Sequence, residues 1–156
     1  MTSIHVRAFS ISDRDFLLSL VSRFTGFDLP AWRTRAEIDE ANRKGLLKAM
    51  DQPETDALIL IAEDEHGAPA GFLHLQTQTD YFNGEKHGYI SDVAVAPAFE
   101  GQRVGRLLLD AAEDWARGQG FRLLTLYVFA GNAHARRVYE KAGFDQEVIK
   151  YVKPLN

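Results

Sequence analysis

The order of elements between Gly88 and Gly143 constrains the fold more than any other feature of this sequence. Gly88–Ala96 reads as a strand, stopped by Pro97. A glycine-bearing loop follows. From Gly105 to Arg117 the residues Leu108, Ala111, Ala112 and Trp115 recur on one helical face, and Gly118 and Gly120 end the helix. Arg122–Phe129 is nearly all apolar, which predicts a strand covered on both faces, as parallel strands are. Asn132–Ala142 is a second helix with Ala135, Val138, Tyr139 and Ala142 inward and Gly143 at its end. Two strands joined through a helix run parallel with a right-handed crossover.

The rest of the chain reads differently. Ile4–Ala8 is a first strand. Ser12-x-x-Asp15 resembles a capping box ahead of Phe16, Leu17, Leu20, Val21 and Phe24, and Thr34-x-x-Glu37 caps a helix running to about Met50. Gly45 weakens the continuity of that second helix. Ala57–Glu63 and Ala70–Thr79 form a hairpin across a polar turn, and Tyr81–Lys86 is a second loop. Val148–Lys153 is a closing strand. The predicted order is β-α-α-β-β-β-α-β-α-β. It is an α/β protein of the α+β type, with antiparallel strands first and a crossover unit after them. Its linkers are short, so residues 1–156 are expected to form one domain.

Composition removes several classes of function. Cysteine is absent, which excludes disulfides, thiolate metal sites and acyl-cysteine intermediates. No pair among the five histidines has close metal-ligand spacing, so no metal is expected. The longest apolar runs fall far short of a membrane span, and the N-terminus has no signal-like apolar region. With a sequence pI near 5.7, the chain is not expected to bind nucleic acid. These features predict a cytoplasmic protein that associates with neither membrane nor nucleic acid. Residues 1–96 hold 9 Lys/Arg and 15 Asp/Glu, whereas residues 97–156 hold 9 and 7. The second part therefore suits an anion and the first a cation, or the charges simply face water.

Two constellations carry chemistry. The first is Val93-Ala94-Val95-Ala96-Pro97 followed by Glu100-Gly101-Gln102-Arg103-Val104-Gly105-Arg106. First-turn N–H groups lie at the positive end of a helix dipole without internal partners, and glycine lets a ligand approach the backbone. Such a loop can cradle a pyrophosphate, although its glycines equally suit a plain turn. It is not a Walker P-loop, since no Gly-Lys-Ser/Thr follows. The second is Asn132-x-x-Ala135-x-x-x-Tyr139-x-x-x-Gly143-Phe144. Asn132 fits an N-cap, and Tyr139 is either a core aromatic or a hydroxyl with a task.

Taken together, these motifs resemble the GNAT superfamily of acetyl-CoA-dependent N-acetyltransferases. The family's phosphate loop, Gln/Arg-x-x-Gly-x-Gly/Ala, falls on Glu100-x-x-Arg103-x-Gly105. Glu100 and Arg103 depart from it, and Glu100 brings negative charge toward the phosphates. The stretch from Asn132 to Phe144 matches without departure. The resemblance implies a mixed, mostly antiparallel sheet with a β-α-β-α acetyl-CoA-binding core flanked by helices. It further implies that main-chain groups of Val93, Ala94 and Val95 hold the pantetheine arm. The loop residues Gly101, Gln102, Arg103, Val104, Gly105 and Arg106 would hold the pyrophosphate. Asn132 would face the pantetheine or the thiol end and Tyr139 would protonate the departing thiolate. The acceptor implied is a primary amine of a small molecule or peptide, attacking directly in a ternary complex.

An alkyl ammonium with a pKa near ~10.4 must lose a proton before it attacks. Asp92 is the first candidate to bind or relay that proton, or else it is a structural carboxylate. His74 and His87 have suitable intrinsic basicity but also suit structural roles. Trp32, Tyr81 and Phe82 are candidates for the acceptor entrance. The rival readings are an acyltransferase using a longer acyl-CoA, a non-catalytic acyl-CoA-binding regulatory module, and a generic nucleotide-binding protein. Only 13 residues follow Gly143, so the sheet edge is either truncated or completed by a homodimer.

Overall fold

The computed structural model describes residues 3–155. Five strands form one sheet in the order β1-β2-β3-β4-β5: β1 Ile4–Ala8, β2 Leu58–Asp64, β3 Pro69–Thr79, β4 Lys86–Val95 and β5 Leu124–Leu126. The first four are mutually antiparallel, and β5 runs parallel to β4. Four helices flank the sheet: α1 Arg14–Ser19, α2 Arg35–Asp51, α3 Val104–Gly118 and α4 Ala133–Lys141.

Alternation along the strands divides the core in two. Ile59, Ile61 and Phe72 face Leu17, Leu20, Leu46 and Met50 of the α1–α2 layer. Leu73, Leu75 and Ile90 face Val104, Leu108, Leu109 and Ala112 of α3. The α3 positions recur at 4, 5 and 8 residues, which is one face of a helix. That helix lies so close to β4 that a Cβ on Gly88 would come within 2.9 Å of the Trp115 ring. On β3, a Cβ on Gly71 would meet the Ala94 carbonyl oxygen at 2.6 Å.

Three local expectations are corrected. The cap before α1 uses Ser10 and Asp13 rather than Ser12 and Asp15: the Asp13 carboxylate accepts the Ser10 N–H at 2.8 Å. Arg7 fixes that carboxylate with two bonds of 2.8 Å, drawing the turn upstream. The helical segment then breaks at Leu20, and Val21–Thr25 is a 3-10 turn whose Thr25 hydroxyl donates to Asp39 at 2.9 Å. At the other end, β5 is only three residues long and partly exposed, and the expected strand Val148–Lys153 pairs with no other strand. Among the described residues β5 pairs with β4 alone, so its other edge is open. By contrast, Thr34 caps α2 as expected, accepting the Glu37 N–H at 3.1 Å, and α2 continues unbroken through Gly45.

Candidate acetyl-transfer site

The site is built where β4 parts from β5. β4 pairs with β5 only at Gly88, Tyr89 and Ile90, so from Ser91 to Val95 that edge of β4 has no strand partner. Val93, Ala94 and Val95 all lie on this stretch, where alternate main-chain groups point into the gap.

A register shift decides which side chains serve the gap. Leu75 pairs with Ile90 but His74 pairs with Asp92, so Ser91 is an extra residue in β4. Simple alternation would place Asp92 with Gly88 and Ile90 beneath α3. The extra residue turns it to the opposite face, beside His74, Gln76 and Tyr89. His74 Nδ1 then lies 3.1 Å from Asp92 Oδ2, with His74 only 4% exposed. An ionised carboxylate accepts only, so the imidazole donates from Nδ1 and Nε2 remains the proton-accepting nitrogen.

His74, Asp92, Tyr89, Gln76 and Ser91 line a cavity of about 500 Å³ whose other walls are α2, the segment after it, the start of β2 and the Ala8–Phe9 end of β1. α2 contributes Asn42, Gly45 and Lys48. Nothing lies within 4 Å of where a Gly45 Cβ would sit, so the missing side chain widens the cavity. Burial and the nearby Asp92 push the Tyr89 hydroxyl above its ordinary pKa. The Tyr89 ring meets that of Tyr127 edge to face, centroids 5.8 Å apart.

On the other side of β4 the loop before α3 turns tightly. Gly101 has φ +78° and Arg103, a non-glycine, has φ +63°. The first α3 bond runs from the Leu107 N–H to the Arg103 carbonyl at 3.1 Å. The N–H groups of Val104, Gly105 and Arg106 thus have no partner in their own helix. The Gln102 N–H is already engaged by the Phe99 carbonyl at 3.3 Å. Near a Gly105 Cβ only Val95 would come within 4 Å, at 3.8 Å, so that backbone stays approachable. These features fit a pyrophosphate. The unfavourable Glu100 is neutralised by an ion pair with Arg23.

α4 packs Val138, Tyr139 and Ala142 against the core cluster that holds the α3 side chains. Asn132 caps it, its side-chain oxygen accepting the Ala135 N–H at 3.2 Å. Tyr139 packs against Phe144 with ring centroids 5.9 Å apart, and burial raises its pKa, so the phenol is protonated at neutral pH.

The chain matches the family model described as the acetyltransferase (GNAT) family over residues 18–144. It belongs to the GNAT acetyltransferase family. This N-acetyltransferase takes its acyl group from acetyl-CoA. Among curated relatives it is 28% identical to the uncharacterized N-acetyltransferase YhfO of Bacillus subtilis, over 92% of this chain and 91% of that one. It is 40% identical to a mycothiol acetyltransferase of Propionibacterium freudenreichii, over 55% of this chain but only 27% of that protein. An aminoglycoside N(6')-acetyltransferase of Stenotrophomonas maltophilia is 27% identical over 65% of this chain and 70% of its own. A putative acetyl transferase from Pyrococcus furiosus shares the fold with a TM-score of 0.77, 21% identity, and coverage of 98% of this chain and 100% of that one.

This candidate site does not gather every residue singled out in the sequence. Trp32 lies on the loop before α2, Tyr81 and Phe82 form an exposed edge-to-face pair at the β3–β4 hairpin tip, and His87 is buried farther along β4; none lines the cavity. Tyr89, Gln76 and Gly45 line it without having been anticipated. Alternation with a period of two places Tyr89 and Asp92 on opposite faces, and only the extra residue at Ser91 unites them. No helix among the described residues is long and apolar enough to cross a membrane, and none of their His, Asp and Glu side chains form a group of three able to hold a metal.

Proposed function

We propose that this enzyme acetylates the primary amine of a small molecule bound between α2 and β2–β4, by direct attack in a ternary complex. The observation that carries the reading is the His74–Asp92 pair on the cavity wall, His74 buried and Asp92 half-buried, at the level where β4 parts from β5. A cavity of about 500 Å³ is of the size that takes small molecules. The acceptors named for relatives, an aminoglycoside and an aminoalkylphosphonate, are small amines too.

Bound acetyl-CoA supplies the activated acyl carbon and a thiolate leaving group. The free β4 edge at Val93–Val95 orients the donor's arm, and a main-chain N–H there polarises the carbonyl. The N–H groups of Val104, Gly105 and Arg106 hold the pyrophosphate, with Gly101, Gln102 and Arg103 shaping the loop. Asp92 attracts the incoming ammonium and fixes the imidazole tautomer. His74 Nε2 takes the amine proton. Asn132 orients α4, and the Tyr139 hydroxyl gives its proton to the leaving sulfur.

Thiol release measured across a panel of amines tests this reading. Turnover of at least one small amine, lost in His74→Gln while acetyl-CoA still raises the melting temperature, is the expected result. Turnover only of protein or peptide amines would overturn the acceptor class.

A further inference from the structure

The chain leaving β5 makes two aromatic contacts. Tyr127, the first residue after β5, meets the ring of Tyr89, which lines the cavity. Two residues on, Phe129 meets Phe27, in the segment between Thr25 and α2, with centroids 5.6 Å apart. The backbone fixes the second contact: the Asn132 N–H donates to the Phe129 carbonyl at 2.9 Å, and a Cβ on Gly131 would come within 2.8 Å of the Asp28 carbonyl oxygen. Residues two apart in an extended chain stand about 7 Å from each other, so the two contacts border an opening of that order.

The direction of the free β4 edge decides what meets Tyr127. The phosphate loop follows the C-terminal end of β4, and the free edge runs back from Val95 to Ser91. A donor arm laid along it from the loop ends beside Ser91, where β4 and β5 close together. An amine attacks a trigonal carbonyl carbon from outside its plane. Attack from the cavity holding His74 and Asp92 therefore sets that plane along the sheet. Within it the oxygen faces a β4 N–H and the sulfur points back along the arm. The third substituent, the acyl chain, points away from β4 toward the chain leaving β5. We infer, resting on that placement of the donor, that the Tyr127 ring, braced by Tyr89, sets the length of acyl chain the enzyme accepts. An acetyl group ends at its methyl short of the ring, and each further methylene meets the space the ring holds.

Tyr127 is 83% exposed, so its truncation leaves no core void. Tyr127→Ala and Tyr127→Phe are compared with the unmodified enzyme, using acetyl-CoA and butyryl-CoA. The readouts are the rise in melting temperature each donor produces and the ratio of kcat/KM for butyryl-CoA to that for acetyl-CoA with one amine. In the unmodified enzyme butyryl-CoA should give the smaller melting rise and a kcat/KM lower by about tenfold or more, the scale on which pockets discriminate methylenes. Tyr127→Ala should raise the ratio about tenfold or more and bring the two melting rises together. Tyr127→Phe should keep the unmodified pattern. Equal use of both donors by the unmodified enzyme, an unchanged ratio in Tyr127→Ala, or a Tyr127→Phe that behaves like Tyr127→Ala overturns the inference. If no amine is turned over, the acceptor chemistry fails while the melting rises still decide the role of Tyr127. If acetyl-CoA gives no melting rise, the donor placement and the role of Tyr127 fall together.

Discussion

His74 and Asp92 meet across the β3–β4 ladder, Nδ1 to Oδ2 at 3.1 Å, because β4 holds one more residue than β3 between the Leu75–Ile90 pair and their own. The same extra residue, Ser91, is where the outer edge of β4 becomes free of β5. One irregularity thus frees the edge of β4 and turns the His74–Asp92 pair toward the cavity between α2 and the sheet. Asp92→Asn keeps the shape but removes the charge that fixes the imidazole tautomer. We expect kcat with a small amine to fall by about 10²–10⁴, the range for a positioned acid or base, with the acetyl-CoA-induced rise in melting temperature retained. Full activity in the variant would reduce the pair to packing.

Tyr139 is predicted to act at the leaving sulfur. Burial raises its pKa, which favours the neutral phenol. The acid form therefore persists through neutral pH, and no loss of rate from its ionisation is expected until the pH passes about 10, the ordinary tyrosine value. Tyr139→Phe should lower kcat by about 10²-fold or more with little change in acetyl-CoA affinity. An unchanged kcat in single-turnover measurements would remove the phenol from the chemistry.

Much of this arrangement was legible in the sequence. Apolar periodicity located α3 and α4, and Thr34 and Asn132 were recognisable caps because their side-chain oxygens answer orphan N–H groups. The pairing of His74 with Asp92 was not legible, since a period of two separates Asp92 from Tyr89 and nothing in Ile90-Ser91-Asp92 announces an extra residue. The role of Glu100 was misleading for a related reason: its countercharge, Arg23, lies 77 positions away. The C-terminal strand failed because a strand is a relation between two segments, and Val148–Lys153 has no second segment beside it.

The Arg7–Asp13 pair predicts an acid-side dependence of stability. Arg7 holds the Asp13 carboxyl below its ordinary pKa, with the Ser10 N–H assisting. A depressed carboxyl contributes stability that is complete above its unfolded value, near 3.9, and is lost as pH falls through its folded value. Asp13→Asn should cost about 2 kcal/mol at pH 7, from a charge-assisted bond and a cap. The difference in melting temperature between the two proteins should shrink below about pH 4; a difference independent of pH would refute the assignment.

The phosphate loop offers a test that separates shape from charge. Gly101 has φ +78°, and a Cβ there would meet nothing within 4 Å. Gly101→Ala therefore incurs only the left-handed strain of an L residue, about 1–2 kcal/mol, without a clash. Arg103 already bears such strain at φ +63°, so Arg103→Gly relieves it and leaves the main chain in place. We expect acetyl-CoA affinity, read by calorimetry, to weaken in Gly101→Ala and to change less than tenfold in Arg103→Gly. A large loss in Arg103→Gly would make the guanidinium, rather than the loop backbone, the principal phosphate contact.

Gly45 places stability and activity in opposition. It sits inside α2, where glycine costs about 0.8–1 kcal/mol relative to alanine, and it lines the cavity beside His74 with open space where a side chain would be. Nothing in the packing requires it, so the open space itself is its contribution. Gly45→Ala should raise the unfolding free energy by about 0.8–1 kcal/mol and disturb small acceptors little. Gly45→Leu should keep part of that gain, since leucine is also a good helix former, while its side chain enters the cavity and raises KM for the amine at least tenfold. Acetyl-CoA binding should be the same in both variants, because Gly45 lines the cavity beside His74 and Asp92, whose lining includes no residue of the loop before α3. If Gly45→Leu turned over the amine with unaltered KM, the acceptor would have to enter from elsewhere, and the cavity between α2 and the sheet would lose its assignment.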